Sequence, residues 1–137
     1  MRNFQTLDTV EIDSEAGIIY MSDQNDMDED PSMLVMRREG GYMAISASHG
    51  PFEIALRPRL EEVSRVFSRL NPIEGLQTTR QVGTAQAYLA VGLSPDGTML
   101  MRPTIVADAT GHLSFNLALT PDVGKALLAW LPLETGG

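Results

Sequence analysis

Between Met33 and Arg57 apolar and polar residues alternate, and the alternation is cut twice by glycine turn signals, Gly40-Gly41 and His49-Gly50. Successive side chains of a strand point to opposite faces, so this pattern demands an antiparallel meander with one apolar face. Pairing through Gly40-Gly41 sets Met36 opposite Ile45 and Leu34 opposite Ala47. Pairing through His49-Gly50 sets Ile45 opposite Ile54, Ala47 opposite Phe52 and Met43 opposite Leu56. Both registers put their apolar residues on one face, and a one-residue slip of either would send its whole set into water. The other face carries Val35, Arg37, Tyr42, Ala44, Ser46, Glu53, Ala55 and Arg57.

A helix is predicted next, opened by Pro58, with Glu61 and Glu62 in its first turn and Asn71-Pro72 as its stop. Leu60, Val63, Val66, Phe67 and Leu70 recur at helical spacing and form a stripe fit to cover the meander. The plan returns after Thr84. Ser94-Pro95-Asp96-Gly97 and Asp108-Ala109-Thr110-Gly111 each suit a three-residue hairpin loop with Gly in the left-handed position. Those loops pair Val91 with Met101, Leu93 with Met99, Ile105 with Phe115 and Ala107 with Leu113. Pro103 falls inside the middle strand, where it cannot donate a ladder bond, so a bulge or break is expected there. Thr120 caps a second helix opened by Pro121, with Val123, Ala126, Leu127, Trp130 and Leu131 as its stripe and Pro132 as its stop.

The expected fold class is α+β, with antiparallel sheets built from two strand-strand-strand-helix repeats, about 33–71 and 84–132, preceded by an N-terminal β-hairpin within a single domain 1–137. At an offset of 63 residues Phe52 falls on Phe115, Ile54 on Leu117, Leu56 on Leu119, Pro58 on Pro121 and Phe67 on Trp130. Any strand running into an amphipathic helix gives some of this match, and the Phe and Pro identities are the part it does not force, so an internal duplication is expected. The N-terminal hairpin pairs Thr9 to Asp13 with Gly17 to Met21, Val10 and Ile12 facing Met21 and Ile19. Leu76 to Val82 reads as a weaker strand that runs on into Thr84 to Leu93 through a bulge at Gly83.

The net charge of −8 has one origin: residues 1–31 carry nine acids against one arginine, and the remainder is neutral overall. The excess peaks in Asp23-Gln24-Asn25-Asp26-Met27-Asp28-Glu29-Asp30-Pro31, so 22–31 reads as an exposed acidic loop, too poor in apolar residues to fold alone. A calcium-loop frame begun at Asp28 places Met33 where the sharp turn needs Gly, which favours a solvated loop. The chain has no cysteine, which removes disulfides, thiolate metal sites and cysteine nucleophiles. His49 and His112 both fall at hairpin ends, with Asp108 the nearest third ligand, and are expected to bond within their turns. There is no Gly-rich phosphate loop or Gly-x-Ser-x-Gly elbow, and Glu61 and Glu62 sit on a solvated helix face. The expectation is a protein that is not an enzyme and holds no cofactor or metal. Without an apolar run of about twenty residues, and with Met1-Arg2-Asn3-Phe4-Gln5-Thr6 unlike a signal peptide, a cytoplasmic protein away from membranes is expected.

In the order of its strands, its turn placement and its closing helix, Tyr88 to Trp130 resembles the Whirly and PC4-like group of single-stranded nucleic-acid-binding domains, and more distantly the Pur-alpha repeat. The resemblance implies a sheet surface that holds unpaired bases. The registers themselves place Arg37, Tyr42, Ser46 and Arg57 on one outer face and Tyr88, Arg102, Thr104 and Asn116 on the other. Aromatic rings among guanidiniums can stack bases and neutralise phosphates. The same residue types mark protein interfaces, and Val35, Leu100 and Val106 share these faces. The eight methionines suit irregular core gaps, and would equally suit an adaptable binding groove. Given the acidic balance, the expected function is a binding module acting through protein contacts, as a homo-oligomer or an accessory subunit of a larger assembly. The alternative is a single-stranded nucleic-acid-binding protein using the same surface residues: Arg37, Tyr42, Arg57, Tyr88, Arg102 and Asn116.

Overall fold

The computed structural model describes residues 5–23, 32–70, 80–108 and 110–132. The elements are β1 (Gln5–Leu7), β2 (Thr9–Asp13), β3 (Ile18–Ser22), β4 (Ser32–Glu39), β5 (Tyr42–His49), β6 (Phe52–Leu56), α1 (Leu60–Ser68), β7 (Arg80–Gly83), β8 (Ala87–Leu93), β9 (Met99–Asp108), β10 (Gly111–Ser114), β11 (Leu117–Leu119) and α2 (Pro121–Trp130). They form a mixed α+β fold. One sheet is the five-stranded antiparallel meander β2-β3-β4-β5-β6. The other has the order β1-β11-β9-β8-β7, with β10 also on β9, and is antiparallel except where β1 lies parallel to β11.

Three hairpins take the registers their turns specify. Met36 faces Ile45 and Leu34 faces Ala47, Val91 faces Met101 and Leu93 faces Met99, and Val10 and Ile12 face Met21 and Ile19. Two others are offset by two residues. Ile45 faces Leu56 rather than Ile54, and Ala47 faces Ile54 rather than Phe52. The turn residues there are Gly50-Pro51, with Gly50 in the left-handed region at φ 58°, the glycine-first arrangement that suits a tight hairpin. Ile105 faces Leu113 rather than Phe115, with the extra residue taken up by an irregularity at Gly111/His112. An even shift keeps each side chain on its face, so the inside–outside division survives. Phe52 is left 58% exposed at the start of β6, and Ile12 and Leu113, on the core-facing sides of their hairpins, are exposed as well.

Pro103 leaves β9 continuous and breaks its neighbour instead. Phe115 N donates to Pro103 O at 3.2 Å, but Pro103 has no N–H to return the bond. The third strand consequently splits there into β10 and β11. β7 does not run on into β8 but folds back against it, Val82 facing Leu89. Gly83 makes the bend at φ 118°. The first helix begins two residues later than Pro58, because Pro58 O accepts from Met43 N and Leu60 N donates to Gly41 O, both at 2.9 Å. α2 starts as expected, with Thr120 Oγ1 accepting from Val123 N and Pro121 in the first position. The Asn71-Pro72 stop, the strand start at Leu76, Ala109 and residues 24–31 of the acidic loop lie outside the described residues.

The two identities that support the duplication occupy unlike places. Phe115 is buried where Phe52 is exposed, and Pro58 is buried ahead of its helix where Pro121 is an exposed first helical residue. A single hydrophobic cluster runs through both sheets and both helices, from Leu7, Ile19 and Met36 through Val63 and Phe67 to Met101, Leu119 and Leu127. Each helix crosses from its own sheet to the other. α1 follows β6 and packs on β5 and β7, while α2 follows β11 and packs on it and on β2 and β3. Among the described residues no helix is long and apolar enough to cross a membrane.

Candidate functional site

With both inner faces committed to one core, the outer faces of the two sheets look away from each other, and each gathers its own set of polar and aromatic side chains. On the five-stranded sheet, Val35, Arg37 and Glu39 of β4, Tyr42, Ala44 and Ser46 of β5, Glu53 and Ala55 of β6, and Arg57 just after β6 face outward. Val35, Ala44 and Ala55, with Ile18 of β3, line a shallow groove of about 390 Å³ between Arg37 and Arg57. The groove exists because small residues sit side by side in the middle of the sheet.

The rim of that groove is tied together. Arg37 and Arg57 both bond the Glu39 carboxylate, Arg57 from Nε at 3.1 Å. The hydrogen bond from Arg37, then the positive charges of Arg37 and Arg57, hold the Glu39 carboxyl below its usual range. The Arg57 guanidinium lies over the Tyr42 ring, 4.8 Å from its centroid. The two-residue register shift turns a direct Tyr42–Arg57 pair into a diagonal one, still within reach of long side chains. The large apolar side chains Tyr20, Met33 and Tyr42 stand exposed on the same face.

On the six-stranded sheet Tyr88, Arg102, Thr104 and Asn116 also come together, and they enclose a polar pocket of about 220 Å³ with His112 and Ser114. Arg102 Nε donates to Asn116 Oδ1 at 2.8 Å. The shift in the β9–β10 register sets Ser114, not Asn116, opposite Thr104 and carries Asn116 to Arg102. Ser114 therefore belongs to a site that the turn signal alone misplaces. His112 joins this pocket from β10, whereas His49 bonds Ser32 Oγ through Nδ1 at 2.8 Å and packs near Phe115. Asp108 is engaged in its own turn, where Thr110 Oγ1 and N each donate to it at 2.7 Å and lower its pKa. Among the described residues no three His, Asp or Glu side chains gather as a metal site.

The six surface residues expected from the sequence thus divide into two groups. Arg37, Tyr42 and Arg57 frame the apolar groove, and Tyr88, Arg102 and Asn116 line the polar pocket. No protein-family model, curated protein or solved structure matches the chain.

Proposed function

We propose that the chain is a non-enzymatic binding module that acts through protein contacts at the outer face of its five-stranded sheet, as a homo-oligomer or as an accessory subunit of a larger assembly. The observation that carries this reading is the apolar groove over Val35, Ala44 and Ala55, framed by guanidiniums already fixed on Glu39 and Tyr42. A rim held before binding loses less side-chain freedom on association. Tyr, Met and Arg are the residue types enriched in interface centres.

The nucleic-acid alternative has less support on this face. Arg57 already lies over the Tyr42 ring, which competes with base stacking, and both arginines are matched to Glu39. Glu11, Asp13 and Glu53 share the face, so it lacks the positive excess that phosphate binding draws on. We also propose an internal repeat, supported by the recurring order of antiparallel strands closed by a helix, and a cytoplasmic setting, supported by the sequence pattern.

Light scattering over a range of concentrations, combined with recovery of co-purifying polypeptides, tests the reading. The unaltered chain is expected above its monomer mass or with a stoichiometric partner, and Val35→Glu is expected to abolish that association while leaving far-UV circular dichroism unchanged. A strict monomer whose co-purifying polypeptides are unchanged by Val35→Glu would overturn it. Micromolar, salt-sensitive binding of a fluorescent oligonucleotide, lost in Tyr42→Ala and Tyr88→Ala, would put the alternative in its place.

A further inference from the structure

We propose that the polar pocket on the outer face of the six-stranded sheet binds a small oxyanion of the phosphate class, either free phosphate or a small phosphate monoester. The chemistry of its lining is selective. Tyr88, Arg102, Thr104, His112, Ser114 and Asn116 supply hydroxyls, an imidazole, an amide and one guanidinium, and no carboxylate lines the pocket although the chain as a whole carries −8. A fixed positive charge lines it. Arg102 is half-buried and anchored through Nε on Asn116 Oδ1, and its Nη2 is shielded from solvent, so its field is less screened than that of a surface arginine.

The hydroxyls are set in a row by backbone register. Tyr88 of β8, Thr104 of β9 and Ser114 of β10 stand directly opposite one another across three strands. Thr104 is only 3% exposed, and its hydroxyl reaches Arg102 O at 3.4 Å, longer than the usual O–H···O range of about 2.5–3.0 Å. A buried hydroxyl with so long a bond gains from a better acceptor placed over it. Donors spread over three strands about 4.8 Å apart suit a tetrahedral anion, whose oxygens diverge, better than the planar fork of a carboxylate. At about 220 Å³ the pocket is smaller than the roughly 300–1,000 Å³ of drug-sized ligand sites, which fits a small anion.

The pocket lies on the other sheet from the contact groove, so its test is independent of the reading above. Amide and arginine-side-chain NMR spectra of the full chain are followed during titration with inorganic phosphate, glycerol phosphate and acetate, with ionic strength held constant by sodium chloride. Saturable shifts centred on Tyr88, Arg102, Thr104, His112 and Ser114 are expected with the phosphates, and weaker ones with acetate. Arg102→Gln is expected to weaken phosphate binding about tenfold or more, and Ser114→Ala to weaken it without altering far-UV circular dichroism. The relative affinities of inorganic phosphate and glycerol phosphate decide between the free and esterified ligand. Absence of saturable shifts with both phosphates would overturn the proposal in the unaltered protein, whatever the variants do. So would equal binding by a folded Arg102→Gln chain, or acetate binding tighter than phosphate.

Discussion

Glu39 is the residue on which the outer face of the five-stranded sheet is organised, since it accepts at once from Arg37 of β4 and from Arg57, which follows β6. Its carboxyl is held low first by the hydrogen bond from Arg37 and then by the charges of Arg37 and Arg57. A carboxyl lowered in the folded state contributes stability that is present above its ordinary pKa and is lost as pH falls through the folded value. Carboxyl-carbon NMR titration should therefore place Glu39 below the other surface glutamates, and Arg37→Gln should return it toward the ordinary range. A Glu39 titration that Arg37→Gln leaves unmoved would show that the contact is not formed in solution. At this scale the sequence was informative about residue type and face, since Arg37, Tyr42, Arg57, Tyr88, Arg102 and Asn116 all lie outward as the alternation requires. Which of them touch depends on register. The partnership of Arg102 with Asn116 and the place of Ser114 beside Thr104 follow from a bulge that leaves no local signature beyond Gly111.

At the level of elements, turns are legible when one residue type is forced and ambiguous when two glycine placements fit. Gly40-Gly41 and Ser94-Pro95-Asp96-Gly97 define their registers. In the latter turn, Asp96 also accepts from Ser94 Oγ and from Thr98 N, and both bonds lower its pKa. His49-Gly50 and Gly50-Pro51 satisfy the same alternation and both accept a glycine with positive φ, and the pairing of His49 with Phe52 selects the second. The parallel pairing of β1 with β11 had no local signal at all, because it joins the two ends of the chain through three residues on each side. Gly83 offers a sharp test of the β7–β8 hairpin. A Cβ there would lie 2.4 Å from Ala87 O, at φ 118°, so Gly83→Ala combines a backbone clash with a disfavoured conformation. A loss of about 2 kcal/mol or more is expected from urea unfolding. At Gly41 an added Cβ meets nothing within 4 Å, and Gly41→Ala should change stability by less than about 0.5 kcal/mol. Equal effects at the two glycines would mean that β7 does not fold back as described.

On the scale of the whole molecule, the two sheets are joined by reciprocal helix crossings whose far ends are closed by arginines of the opposite sheet. Arg80 of β7 donates to Arg69 O at the end of α1, at 3.0 Å. Arg38 of β4 donates to Trp130 O at the end of α2 and lies over the Trp130 ring, 4.7 Å from its centroid. Cations at helix C-termini satisfy the last carbonyls and oppose the helix dipole, and here they also bind each helix to the sheet it did not come from. The core is continuous across this junction, with Met21, Met36 and Met43 from one sheet and Met99 and Met101 from the other fully buried in it. A fold joined in this way has no boundary along which one sheet could unfold and leave the other intact. Unfolding should therefore be a single transition, with Trp130 fluorescence and far-UV circular dichroism sharing one midpoint. Met36→Ala in one sheet and Leu119→Ala in the other each leave a buried cavity and should cost about 2–5 kcal/mol. Because both sites belong to one cooperative unit and α2 packs on both sheets, each substitution should move the two probes together. If Leu119→Ala shifted the circular dichroism and left the Trp130 transition in place, the sheets would be separable and the crossings ornamental to stability. Coincident shifts in both variants would establish that the groove on one face and the pocket on the other are held by the same core.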